Sequence, residues 1–144
     1  MSDLNVDVVV LGSGPGGYTA AFRAADLGLK VALIEYHKNI GGVCLNVGCI
    51  PSKALLHAAK VIDESSHSSA LGIDFGKHHI DINKLRDWKE GIINRLTSGL
   101  KALSKQRKVE LVNGKGNFVS DKELKVEHSD GTTSTIKFAN AIIA

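Results

Sequence analysis

The segment Gly41-Gly42-Val43-Cys44-Leu45-Asn46-Val47-Gly48-Cys49-Ile50-Pro51-Ser52-Lys53 carries both cysteines of the chain, five positions apart. Two thiols so spaced can meet if the chain between them bends, because a disulfide needs its Cα atoms within about 7 Å. Gly48 supplies freedom to bend, and Pro51 suits the first turn of a helix that follows. Cys49 then stands at a helix N-terminus, where unpaired N–H groups and aligned peptide dipoles favour a thiolate. The pattern describes a reactive dithiol better than a structural staple, since closing so small a loop constrains little of the unfolded chain. Two plainer readings stand beside it. The cysteines can be small buried hydrophobes, or zinc ligands together with His57, a set that lacks a fourth ligand and the usual spacing.

A second chemical pattern lies upstream, and elements to position it can be read around it. Val6–Leu11 is a β-branched apolar run, read as a buried parallel strand. Gly12-Ser13-Gly14-Pro15-Gly16-Gly17 follows at once, then an alanine-rich helix from Tyr18 to Leu27 with Gly28 as its C-terminal cap. Val31–Glu35 is the next strand. In this βαβ unit Gly12 permits a tight turn, Gly14 lets the backbone approach a pyrophosphate, and Gly17 lets helix and strand pack closely. The helix N-terminus offers N–H donors to the anion. Glu35, 18 residues after Gly17, stands where an acid hydrogen-bonds a ribose hydroxyl and repels a 2′-phosphate.

After the dithiol segment the pattern is helical from Cys49 or Ile50 to about Ser66, with Ala54, Leu55, Ala58, Val61 and Ile62 on one apolar face. Residues 65–79 read as a polar surface loop with a short extended piece at Ile73–Phe75; His67, His78 and His79 in it read as solvated. Ile82 to about Lys105 is a long amphipathic helix whose stripe Leu85, Trp88, Ile92, Leu96, Leu100 and Leu103 is expected to face core or sheet. Val109–Val112 is a strand. Three short alternating runs, 117–119, 123–127 and 133–138, form a small antiparallel meander. Ala139–Ala144 is a further apolar strand, and a chain that stops within it reads as the N-terminal part of something longer. The fold class expected is α/β: a Rossmann-like βαβ with parallel sheet, long amphipathic helices and the meander.

The 144 residues suffice for one domain with a real core, and 43% apolar with 23% charged residues is ordinary for a globular chain. A net charge of +3 from scattered lysines and arginines, with aromatics at 5%, gives no nucleic-acid footprint. The first residues lack the features of a secretory signal, and no apolar run reaches the roughly 20 residues of a membrane span. The expected compartment is reducing and cytoplasmic, where a cysteine pair is more often catalytic or metal-binding than structural.

A dinucleotide fold followed by Gly-Gly-Val-Cys-Leu-Asn-Val-Gly-Cys-Ile-Pro-Ser-Lys resembles the flavin-dependent pyridine nucleotide–disulfide oxidoreductases, from Val6 to Ala144. Val43–Asn46 with Ile50–Lys53 is most similar to their lipoamide-oxidising branch; glutathione and mercuric reductases share the scaffold. The resemblance implies FAD in this first site, with Gly12, Gly14 and Gly17 at its pyrophosphate and Glu35 at the adenosine ribose. It implies that Gly41, Gly42, Val43 and Cys44 run along the flavin and ribityl chain, that Gly116 contacts adenine, and that Lys53 lies near the flavin ring. It implies a redox-active disulfide in which Cys44 is the exposed interchange thiol and Cys49 faces the flavin. The reaction implied is dihydrolipoamide with NAD+ to lipoamide and NADH, in a homodimer serving 2-oxo acid dehydrogenase complexes. The NAD domain and the interface domain of that family are absent from these 144 residues, so the chain alone is not expected to turn over. The contrasting expectation is a non-catalytic flavin-binding module in which the cysteines are incidental.

Overall fold

The computed structural model describes residues 4–144. One six-stranded sheet forms its backbone, built from β1 (Leu4–Leu11), β2 (Val31–Glu35), β3 (Glu110–Asn113), β4 (Lys115–Phe118), β5 (Glu123–Glu127) and β6 (Thr133–Ile143) in the order β3-β2-β1-β6-β5-β4. The β3-β2-β1-β6 part is parallel, and β6-β5-β4 is antiparallel. Helix α1 (Pro15–Asp26) crosses from β1 to β2. Helices α2 (Gly42–Asn46), α3 (Cys49–His67) and α4 (Ile82–Gln106) occupy the long connection from β2 to β3.

Both faces of β1 and β2 are covered, which explains their unbroken apolar sequence. Val8, Val10 and Leu33 pack against Ala21 and Ala24 of α1. Val9 and Ile34 join Leu124, Val126, Ile136 and Phe138 on the opposite side. Leu33, Ile34, Leu124 and Ile136 are fully buried, and each contributes about 1.5–3 kcal/mol relative to leaving it in water.

The expected α/β architecture is present, with four differences. The runs 133–138 and 139–144 are one strand: β6 pairs antiparallel with β5 through Thr133–Lys137 and parallel with β1 through Ile136–Ile143. The meander, which begins at Lys115 and not at 117, therefore continues the parallel sheet. Within the dithiol segment the chain coils into a short helix, α2, where only a bend was expected. Residues Ile73–Phe75 form no strand, and a 3-10 turn at Ser68–Leu71 precedes them.

In α4 the buried residues are Ile93, Thr97 and Ser104, with Leu100 half-buried. Leu85 and Ile92 of the expected stripe are half-buried as well, so the packed face overlaps one side of that stripe and extends past it to Ile93, Thr97 and Ser104. Trp88, Leu96 and Leu103 are exposed, as are Leu55 and Val61 of α3. The helix rests on its small side chains, which allow closer approach than its leucines, and Ser104 Oγ is satisfied by donating to Leu100 O at 2.9 Å.

Candidate functional site

The carboxyl ends of the parallel strands meet at one edge of the molecule. Between β1 and its two neighbours lies a topological switch point, where open α/β sheets bind ligands. The turn leaving β1 shows why three glycines are spaced as they are. Gly12 has φ +99°, and a Cβ there would stand 2.2 Å from Ala144 O. A Cβ on Gly17 would stand 1.9 Å from Gly12 O, so α1 can lie on the turn only because position 17 has no side chain. Gly14, by contrast, faces open space, with no atom within 4 Å of a built Cβ. Gly14 also caps α1 without any side-chain hydrogen bond, and Pro15 opens the helix. With no side-chain cap, the first N–H groups of α1 are left available to an anion.

Glu35 ends β2 almost fully buried. Its Oε2 accepts from the Ser13 N–H at 3.1 Å and from the Ser13 hydroxyl. Its Oε1 accepts from the His37 N–H at 2.7 Å. The carboxylate is held by three donors at the rim of a cleft of about 600 Å³, lined among others by Leu11, Gly12, Tyr36, His37, Lys115 and Gly116. At position 116 a Cβ would stand 2.7 Å from Leu11 Cδ1 and 3.0 Å from Leu124 Cδ2, so a side chain there would have to displace those leucine methyls. Gly114 N–H and Asn113 Nδ2 both donate to Glu35 O, at 2.9 and 3.1 Å, and dock the turn between β3 and β4 onto the end of β2.

The dithiol segment is fastened to this cleft. Gly41 N–H donates to Ser13 O at 2.9 Å and to Ser13 Oγ at 3.2 Å. Gly41 and Gly42 both have positive φ, and a Cβ on Gly42 would stand 2.7 Å from Gly14 Cα. The glycine pair thus lays the start of α2 directly over the β1–α1 turn. Asn46 closes the other side by donating from Nδ2 to Ile40 O at 3.2 Å and Gly42 O at 2.9 Å.

Cys44 lies within α2, Cys49 is the first residue of α3, and the two are joined in a disulfide with Cα atoms 4.6 Å apart. Gly48 sits between them at φ −121°, outside the left-handed region. Its glycine is required for space, because a Cβ would stand 2.9 Å from Val43 O and 3.3 Å from Cys44 Cα. Cys49 is exposed and Cys44 half-buried. This reverses the expected exposure, since Cys44 is inside a helix packed on α3 whereas Cys49 opens α3 at its end. The helix start has no side-chain cap, so its N–H groups and dipole favour negative charge at the Cys49 sulfur. Lys53 follows at i+4 on the same helix face, exposed and without an ion pair among the described residues.

The fold therefore gathers Gly12, Gly14, Gly17, Glu35, Gly41, Gly42 and Gly116 around one cleft and its adjoining turn. Val43, Cys44, Cys49 and Lys53 extend from it along α2 and α3. Sequence reasoning passed over Ser13, Asn46, Tyr36, His37 and Asn113, which build the site. Ser13 and Asn46 could have been noticed as polar side chains inside otherwise apolar or glycine-rich motifs. Among the described residues no three His, Cys, Asp or Glu side chains are grouped to hold a metal, and no helix is long and apolar enough to cross a membrane.

Residues 6–144 match the family described as pyridine nucleotide-disulphide oxidoreductase. The chain belongs to that family. Its relatives include proteins named dihydrolipoyl dehydrogenase from Vibrio parahaemolyticus, 52% identical, Vibrio cholerae, 54%, and Haemophilus influenzae, 50%. Each alignment covers 142 residues, 99% of this chain. The chain spans about 30% of the length of these curated relatives.

Proposed function

We propose that residues 1–144 are the N-terminal, FAD-binding part of a dihydrolipoamide-oxidising flavoprotein. The observation that carries this reading is the Cys44–Cys49 disulfide at the start of α3, on a segment pinned through Gly41 to the glycine turn. The identity of about half to dihydrolipoyl dehydrogenases supports the branch.

The residues fit FAD. The open face at Gly14 and the uncapped start of α1 suit its pyrophosphate, with Gly12 and Gly17 shaping the turn. Glu35 would accept from the adenosine ribose, and Gly116 would offer backbone to the adenine in the cleft they both line. Gly41, Gly42, Val43 and Cys44 would flank the ribityl chain and flavin, and Lys53 would supply a cation to stabilise negative charge on the reduced ring. When bound, FAD supplies the acceptor for the electron pair of the dithiol and passes it as hydride to NAD+.

The chain's own chemistry is thiol–disulfide exchange. Although Cys49 is the more exposed sulfur, a thiolate of dihydrolipoamide attacks Cys44 Sγ, because that attack forms the mixed disulfide while releasing Cys49 as the thiolate favoured at the α3 N-terminus. The second substrate thiol displaces Cys44, giving cyclic lipoamide and a reduced Cys44–Cys49 pair. Two electrons and two protons leave the substrate and arrive on the protein.

The NAD site and a dimerisation domain belong to the remaining length that the relatives have, and the exposed apolar side chains of α3 and α4 suit a surface such a portion would cover. The parent is a cytoplasmic homodimer, and its substrate is the lipoyl group on the acyltransferase of 2-oxo acid dehydrogenase complexes. Anaerobic titration of the FAD-loaded chain with dihydrolipoamide, followed by alkylation of freed thiols, tests the reading. Labelling of both Cys44 and Cys49 is expected. A disulfide that resists dihydrolipoamide but yields to glutathione would move the chain to the glutathione-reductase type.

A further inference from the structure

We infer that Ser13 is a positioning residue for the nucleotide site: its hydroxyl aims the Glu35 carboxylate at the ribose and ties that carboxylate to the dithiol segment. The inference rests on the proposed FAD site and adds to it a residue at a variable position of the glycine motif.

Ser13 is completely buried. Its hydroxyl donates to Glu35 Oε2 and accepts from the Gly41 N–H at 3.2 Å. The result is a directed relay, Gly41 N–H to Ser13 O–H to Glu35, across three segments separated by 22 and 28 residues. Both ends of the relay are functional in the proposed site. Glu35 is the ribose acceptor, and Gly41 begins the turn that lays α2 over Gly14. A carboxylate with two oxygens and about four lone-pair sites has three of them taken by Ser13 N–H, Ser13 O–H and His37 N–H. The remaining acceptor capacity is the part left for a ribose hydroxyl, and the Ser13 hydroxyl fixes which way it points. An alanine fits the same space and keeps the Ser13 N–H bond to Glu35, so the fold does not need the hydroxyl.

The test is a double-mutant cycle on FAD affinity, read by flavin fluorescence with Ser13→Ala, Glu35→Ala and the double variant. Hydrogen bonds to ionised groups are the stronger kind, so Ser13→Ala alone is expected to weaken FAD binding roughly tenfold. In the Glu35→Ala background the same change is expected to do nothing, because Ser13 acts through the carboxylate. Thermal melts without ligand should show Ser13→Ala folded but a few degrees less stable, since a buried hydrogen bond to a carboxylate is lost, whereas binding of FMN, which lacks the adenosine ribose, should be the same for the unchanged chain and Ser13→Ala. Equal FAD affinity for those two would overturn the inference while leaving the proposed function standing. An equal loss in both backgrounds would also overturn it, by showing that Ser13 works independently of Glu35. Failure of the unchanged chain to bind FAD at all would instead remove the proposed function, and this inference with it.

Discussion

Two glycines three positions apart in one motif should behave in opposite ways when replaced by alanine. A Cβ on Gly17 would lie 1.9 Å from Gly12 O and 2.9 Å from Gly12 C, whereas ordinary contact begins near 3.4 Å. Both obstructing atoms are backbone, so relief requires α1 to retreat from the turn by about 1.5 Å. That movement would open the packing of Ala21 and Ala24 against Val8, Val10 and Leu33. Overpacking typically costs about 1–3 kcal/mol, and an unyielding backbone contact belongs at the top of that range. At roughly 3 °C per kcal/mol for a chain of this size, Gly17→Ala should lower the midpoint of thermal unfolding by about 10 °C. Gly14 has φ −62° and ψ −179°, extended backbone that alanine adopts readily, and its Cβ would meet nothing. Alanine there loses slightly as a helix cap and gains slightly by restricting the unfolded chain, so Gly14→Ala should melt within about 2 °C of the unchanged chain. FAD affinity should nevertheless collapse, because the new methyl occupies the open face offered to the pyrophosphate. Circular dichroism melts without ligand and flavin titrations of both variants separate the two effects. A Gly17→Ala protein as stable as the parent would refute the packing argument. A Gly14→Ala protein that binds FAD normally would refute the assignment of the groove.

Reduction of the Cys44–Cys49 disulfide opens only a six-residue loop, so the chain-entropy estimate gives a loss of about 2 kcal/mol; a melt with and without reductant should show a modest drop and no unfolding at room temperature. Asp81 caps α4 by accepting from the Asn83 and Lys84 N–H groups, both at 3.1 Å, and Asp81→Ala should cost about 1 kcal/mol in chemical denaturation. Asp130 is fully exposed, yet hydrogen bonds from the Thr132 hydroxyl and N–H hold its carboxyl below the usual carboxylate range. A group depressed in this way contributes stability at neutral pH that is lost only as pH falls through the lowered value. An NMR titration should therefore find the Asp130 midpoint below those of unconstrained aspartates, and Thr132→Ala should bring it back.

The glycine turn after β1 was legible in the sequence because its requirements are local. A turn with φ +99° at Gly12 and a helix seated on Gly17 admit almost no other residue, so glycine spacing speaks directly to backbone geometry. The same spacing was silent on Ser13, whose hydroxyl matters through contacts 22 and 28 residues away. Helix α2 was hidden because five residues cannot nucleate a helix alone; it exists through Gly41, Asn46 and its packing on α3. The orientation of α4 was misread because periodicity reports an apolar stripe and not which neighbours cover it. The neighbours chose the row with Thr97 and Ser104. In β6, turn signals and alternation divided what pairing unites, since one strand serves both β5 and β1.

The central claim is that the cysteine pair and a bound flavin form one redox unit within these residues. The visible spectrum of the chain, loaded with FAD, freed of excess and given one pair of reducing equivalents without oxygen, tests it directly. The account predicts a yellow protein that develops a long-wavelength charge-transfer band, which Cys49→Ser abolishes at the same stoichiometry. A colourless chain that ignores added FAD, or a flavin that reduces identically in the Cys49→Ser variant, would contradict it.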